Sequence, residues 1–325
     1  MISIHNVHNR IGDAMFYEIS DDIISIEPEN ISNNFITAGF IPLREMDTVS
    51  KYFNINDKSL MQCKNQSKYF RSSIEVCDDY YFATLNLINV GEKAVDNDVI
   101  AVFIKKNLFL VVDIYDRDYS VRDKFFECIG RFSVDNITIE KLTYAFLESV
   151  INGDNHFLED TEFFINKMEK QVLKNETDSS FNFKLLDTKQ LLLFYRNYYE
   201  QLIDVSQTLQ ENENEIFDEK DLKYFNVFIN KADRLKDNVD MLRDSVNHLK
   251  DAYESSLELK LNQTMKVFTV FTVVFSPLNL IAAWYGMNFR YMPELNQRWG
   301  YAFAIGLSLL SIVVVLSIFK KKKWM

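Results

Sequence analysis

The chain is short of glycine, proline, cysteine and histidine, and each shortage excludes something. There are eight glycines among 325 residues, none of them in a GxGxxG pattern or a Walker loop. No nucleotide motif is therefore present to cradle a phosphate with backbone amides. The three cysteines, Cys63, Cys77 and Cys128, are an odd number without metal-ligand spacing. They predict a reducing cytosol and structural roles. Cys77-Asp78-Asp79 reads as a strand edge and turn rather than as a catalytic group. The four histidines are His5, His8, His156 and His248. His5 and His8 lack a nearby third ligand, so they read as a surface pair rather than a metal site. No catalytic constellation emerges, and the chain is expected not to be an enzyme. The opening residues, Met-Ile-Ser-Ile-His-Asn-Val-His, lack the apolar region of an export signal.

The formal charge is −11, although Lys320, Lys321, Lys322 and Lys323 lie together at the end. The rest of the chain is thus strongly acidic. Nucleic acid is not expected as a partner, since phosphate binding needs a basic surface. Cations suit such a surface, and so does plain solubility.

Charge is missing altogether from Val267 to Trp284 and from Gly300 to Phe319. At 1.5 Å rise per residue, each stretch can cross a hydrocarbon core of about 30 Å as a helix. The alternative is a pair of buried core helices, which seldom lack charge over their full length. The lysine cluster closes the second stretch, and lysines stay on the cytoplasmic side. The expected topology is a two-span hairpin with both termini cytoplasmic, in the plasma (inner) membrane. The spans are placed at about 264–284 and 300–319. An outer loop, 285–299, and a basic tail, 320–325, complete a pore domain over 264–325.

Residues 1–150 read as a cytosolic α/β domain. Val99–Ile104 and Leu108–Asp113 are a strand pair around a polar turn, Lys105-Lys106-Asn107, and Tyr80–Ile88 is a further strand. Residues 151–263 read as a helical stalk region. Helices are expected at Glu140–Ile151, Leu158–Leu173 and Phe183–Gln210, with polar breaks at Asn175–Ser180 and Glu211–Glu215. From 218 to 284 there is no glycine, and Pro277 is the one proline. One helix over that stretch would be roughly 100 Å long, which suits a stalk entering a membrane and continuing as its first span.

Two seams run along this helix. Phe228, Ala232, Leu235, Val239, Leu242, Val246, Leu249 and Tyr253 alternate steps of four and three, the heptad spacing of helix packing. A second line keeps the same rhythm on another face: Asp244, His248, Asp251, Ser255, Glu258, Asn262, Met265, Thr269, Thr272, Ser276, Asn279, Ala283 and Gly286. Nearly all of these are polar or small, and the line continues through the first span. Such residues face a watery path or another helix rather than lipid. One helix cannot enclose a path, so a symmetric ring is expected with the first span innermost. The second span is apolar all round and suits the lipid-facing position.

Tyr285-Gly286-Met287-Asn288-Phe289, followed by Met292-Pro293-Glu294-Leu295, resembles the signature and loop of the CorA magnesium transporters. Asn262, Met265-Lys266, Phe275, Pro277-Leu278, Leu280-Ile281-Ala282 and the terminal lysines before Trp324 are also similar to that family. The likeness is specific from about Asp251 onward and rests on architecture before 240. It implies an α+β membrane protein: an N-terminal cytosolic α/β domain, a long stalk helix continuous with the first of two spans, and a homopentameric funnel. It implies a selectivity filter at Gly286, Met287 and Asn288. It implies pore-facing rings at Asn279, Ser276, Thr272, Met265, Asn262 and Asp251, all of them on the polar seam, where Thr269 joins them. It further implies a neck of Lys320, Lys321, Lys322 and Lys323, and Mg²⁺ as both cargo and regulator. Hydrated Mg²⁺ would meet Asn288, with Asp251 as a second metal-facing residue. Glu294 is the cation attractor at the outer mouth. The family's regulatory stalk aspartate falls on Val227 here; Glu92, Asp96 and Asp98 are the candidates for the partner loop. Ser276 stands where many members carry an apolar gate residue, Ala283 where Gly is common, and Asn279 where Thr is common.

Three functions compete. The first is passive, potential-driven Mg²⁺ uptake, with Co²⁺ and Ni²⁺ as further cargo, in the lipid bilayer. The second is a Zn²⁺ or other transition-metal transporter of the same fold; such metals favour His or Cys, and His248 alone lies on the seam. The third is a non-conducting, membrane-anchored coiled-coil scaffold.

Overall fold

The strand pair expected near residue 100 is the middle of a seven-stranded sheet. The computed structural model describes residues 14–32, 34–65, 71–88, 97–116, 118–288, 292–293 and 297–322. The sheet comprises β1 (Met15–Ile19), β2 (Ile23–Ile26), β3 (Ile36–Pro42), β4 (Ser73–Val76), β5 (Tyr81–Leu87), β6 (Asp98–Lys105) and β7 (Leu108–Tyr115). Its order is β2-β1-β3-β7-β6-β5-β4. Lys105 pairs with Leu108, so the hairpin turn is only Lys106-Asn107. The longer turn expected from sequence loses Lys105 to the strand, where its ammonium reaches the Phe53 carbonyl (2.7 Å) and Asp79 (2.8 Å). β3 runs parallel to β7, while the other neighbours are antiparallel.

Helices cover both faces, because the central strands are apolar on both sides. On one face α1 (Met46–Phe53) and α2 (Asp57–Lys64) supply Met46, Val49, Phe53 and Cys63 to a core with Phe16, Phe82, Phe103 and Leu110. On the other, α3 (Ser120–Gly130) and α4 (Ile139–Val150) set Phe125 against Phe40 (ring centroids 5.7 Å) and Phe146 against Phe109 (5.6 Å). Gly39 in β3 is a close approach: a β-carbon there would lie 2.6 Å from Leu110 and 2.8 Å from Phe16. Cys63 and Cys128 are buried thiols, the former pushed up to about 12 and the latter also raised, both chiefly by burial.

Three long helices follow: α5 (Asp154–Leu173), α6 (Phe181–Glu211) and α7 (Lys223–Tyr285), then α8 (Gly300–Lys321). α7 is one helix of 63 residues. The chain divides into two units, 1–170 with 177–247, and 171–176 with 248–325. Within the first, α6 and α7 are antiparallel neighbours, because Lys189 reaches Asn247 (3.0 Å) and Arg196 reaches Asp240 (3.1 Å). The seam is buried at Phe228, Ala232, Leu235, Val239, Leu242, Val246 and Leu249, and its last member, Tyr253, is half-buried.

Candidate ion path

The second unit carries the polar seam from His248 onward, and nothing among the described residues covers it. Asp251, Asn262, Met265, Thr272, Ser276 and Asn279 are exposed, and Thr269 is half-buried. The neighbouring apolar face is equally open: Val267, Phe268, Phe271, Leu280 and Trp284 all have more than half their surface exposed. Water would penalise such a face heavily, at roughly 25 cal/mol per Å². α7 and α8 are both long and apolar enough to cross a membrane.

Side chains along the seam are tied to the helix in a regular way. The Thr269 hydroxyl donates to the Met265 carbonyl (2.7 Å) and the Thr272 hydroxyl to the Phe268 carbonyl (2.9 Å). This bonding four residues back satisfies hydroxyl protons where no water competes. Pro277 lies inside α7, so the Val273 carbonyl lacks its usual helical donor.

α7 ends at the signature run. The Gly286 amide donates to the Ala282 carbonyl (2.9 Å) and the Met287 amide to the Trp284 carbonyl (3.4 Å), closing the last turn. A β-carbon on Gly286 would sit 2.9 Å from the Ala282 oxygen, which explains glycine here without any positive φ. Gly286, Met287 and Asn288 are exposed beyond the helix end. Glu294 and Lys323 lie outside the described residues, while Lys320, Lys321 and Lys322 are exposed at the end of α8.

Of the regulatory candidates, Glu92 and Asp96 lie outside the described residues, and Val227 is 43% exposed on α7. Asp98 begins β6 and is buried at 3% exposure. The antiparallel pairing of β6 and β7 brings it beside Asp116 and Asp118, with one carboxylate oxygen of each within 4.8 Å of the others. Asp98 accepts from the Ser120 hydroxyl (2.8 Å), and Asp116 from the Val121 amide (3.2 Å). Burial, then the charges of Asp116 and Asp98, push Asp113 up to about 7. Burial, then Asp118 and Asp98, push Asp116 up to about 6. For Asp118 burial acts upward, but the Ser120 backbone amide and Asp116 outweigh it, and its pKa is lowered. Crowded carboxylates of this kind repel one another and offer hard oxygen donors. Asp116 and Asp118 were missed from sequence, although the expected hairpin sets the two strand ends side by side.

Comparison with known proteins agrees with the fold and the chain length. The cobalt/magnesium transport protein CorA of Thermotoga maritima is 26% identical over 314 residues, covering 94% of this chain and 87% of its own. The magnesium transport protein CorA of Helicobacter pylori strain 26695 is 23% identical over 292 residues, covering 86% of this chain and 87% of its own. The solved CorA magnesium transporter of Methanocaldococcus jannaschii superposes with a TM-score of 0.81 at 21% identity, over 97% of this chain and 99% of that one. The family model described as CorA-like Mg²⁺ transporter protein matches residues 42–321, and the chain belongs to that family of divalent cation transporters.

Proposed function

We propose that this chain mediates passive uptake of hydrated Mg²⁺ through a ring of five copies in the plasma membrane, with both termini in the cytoplasm. The observation that carries the reading is the line from Asp251 to Asn279, exposed at every position but the half-buried Thr269, ending at Gly286, Met287 and Asn288. Mg²⁺ gives up its waters reluctantly and prefers oxygen donors. A ring of neutral Asn288 amides can hydrogen-bond the hydration shell without stripping it. Lys320, Lys321 and Lys322 at the end of α8 support the cytoplasmic tail. For a divalent ion, the membrane potential supplies about 4.6 kcal/mol per 100 mV, twice the single-charge value, so no nucleotide is needed.

Met265 is exposed on the path and suits an apolar constriction that gates by dewetting. Ser276 is exposed and polar, which leaves Met265 as the large apolar residue of the seam. Mg²⁺ also regulates in this reading, and Asp98 with Asp116 and Asp118 provides the oxygen donors among the described residues. Co²⁺ is a second cargo, in keeping with the name of the Thermotoga relative.

The test is Mg²⁺ flux into liposomes loaded with a fluorescent indicator. Asn288→Ala should abolish selective flux. Selective Mg²⁺ entry through that variant would remove Asn288 from its assigned role. Zn²⁺ flux exceeding Mg²⁺ flux in the unaltered protein would replace the cargo.

A further inference from the structure

In the first unit, a cleft of about 800 Å³ opens between the ends of α3 and α4, the start of α5 and the side of α7. Its walls carry three cations, Arg131, Lys231 and Arg234. Two of them share one acid: Arg131 and Lys231 both pair with Glu148. Arg234 has no carboxylate partner among the described residues, and its Nε donates only to the Asn230 carbonyl (3.3 Å). With Glu127 as the other acidic residue of the lining, the cleft is net positive in a chain of net charge −11. Lys231 is lowered from its ordinary range, first by burial and then by Arg131 and Arg234.

The opposite wall adds donors. Asn152, Gly153 and Asn155 line the cleft where α5 begins. The Gly153 and Asn155 amides have no backbone acceptor among the described residues. Gly153 holds φ +94, which other residues rarely adopt, and a β-carbon there would meet nothing within 4 Å. Planar guanidinium groups bind phosphate oxygens through paired hydrogen bonds, and the cleft volume lies in the range of small-molecule sites.

We propose that this cleft binds a phosphate-bearing small molecule, held by Arg234, Lys231 and Arg131 against the start of α5. None of its lining residues lies on the polar seam. The cleft lies where the ends of α4 and α5 meet the side of α7.

The test is calorimetric titration of the purified full-length protein with pyrophosphate and with ATP, at clamped free Mg²⁺. Saturable binding is expected with either probe. Arg234→Ser should weaken it about tenfold or more, the loss of one charge-assisted contact. Lys236→Ser, on the same helix but outside the cleft and paired with Asp233, should leave it unchanged. Tighter binding of ATP assigns the site to nucleotides, and equal affinities assign it to the phosphate group alone. Absence of saturable binding to both probes, or unchanged affinity in Arg234→Ser, overturns the proposal. Mg²⁺ flux through Arg234→Ser reads the ion path independently, so failure of one assignment is visible apart from the other.

Discussion

The two halves of α7 are one helix in two surroundings. From Phe228 to Leu249 every position of the apolar seam is buried by the chain itself. From Asp251 onward the seam is exposed or half-buried, and the window of α7 that can cross a membrane is 0% buried. The backbone is the same on both sides, as is the rhythm of fours and threes. What differs is who supplies the partner. The first half carries large apolar residues at its seam and finds α6 within the same chain. The second half carries small and polar residues at its seam and large apolar ones beside it. Under the proposed function, that pattern suits a helix completed by lipid on one face and by other copies on another.

The largest way to break this contrast is to make the second half look like the first. Asn279→Leu places an apolar ring in the proposed path. A desolvation barrier of about 1.4 kcal/mol lowers flux about tenfold, and a full ring should exceed that. Leu280→Ala, one residue away and off the seam, should leave liposome flux within about twofold. Equal losses in the two variants would dissolve the distinction between the faces.

Deleting a ring on each half sharpens the comparison from the stability side. Phe228→Ala empties a fully buried site, and should cost about 3–5 kcal/mol in denaturant unfolding. Phe268→Ala removes a ring that is 63% exposed in the single chain. It should cost clearly less, and its effect should appear in assembly or flux.

Gly286→Ala is a smaller test, placed at the boundary where α7 ends. Its β-carbon must push the Ala282 carbonyl away from 2.9 Å. Reduced Mg²⁺ flux with an unchanged melting temperature is expected, because only the last turn shifts.

A last effect concerns the acidic group of the first unit. Asp113 at about 7 and Asp116 at about 6 hold protons more tightly folded than unfolded, where aspartate titrates near 4. Stability should therefore fall as pH rises from about 4 to about 7 and level off above that. Asp113→Asn should flatten this slope and raise the melting temperature at pH 8. Added Mg²⁺ should steady the parent protein at pH 8 more than Asp116→Asn.

Local pattern made part of this legible in advance. The β6–β7 hairpin, α4 to α7 and both apolar helices are written in runs of residues whose periodicity is visible without partners. Helix ends were displaced by a few residues, as at α5, which begins at Asp154 rather than Leu158. β1 to β4 and α1 to α3 were not read at all. β3 pairs in parallel with β7 from some seventy positions away, and no local pattern records that pairing. Gly39 looked like an ordinary glycine until Phe16 and Leu110 were placed around it. At the candidate site, the seam was legible because it is local to one helix. The group of Asp98, Asp116 and Asp118 was not, because two strand ends must first meet.

The back-bonded threonines of α7 have a consequence for sign of charge. Each hydroxyl proton is held by a carbonyl of its own helix. What remains outward is a lone pair, so a water against that wall must point a hydrogen toward it and its oxygen inward. Waters around a cation are already turned that way, with oxygens toward the ion. Waters around an anion are turned the opposite way. Under the proposed path, these threonines would favour hydrated cations over hydrated anions while carrying no charge.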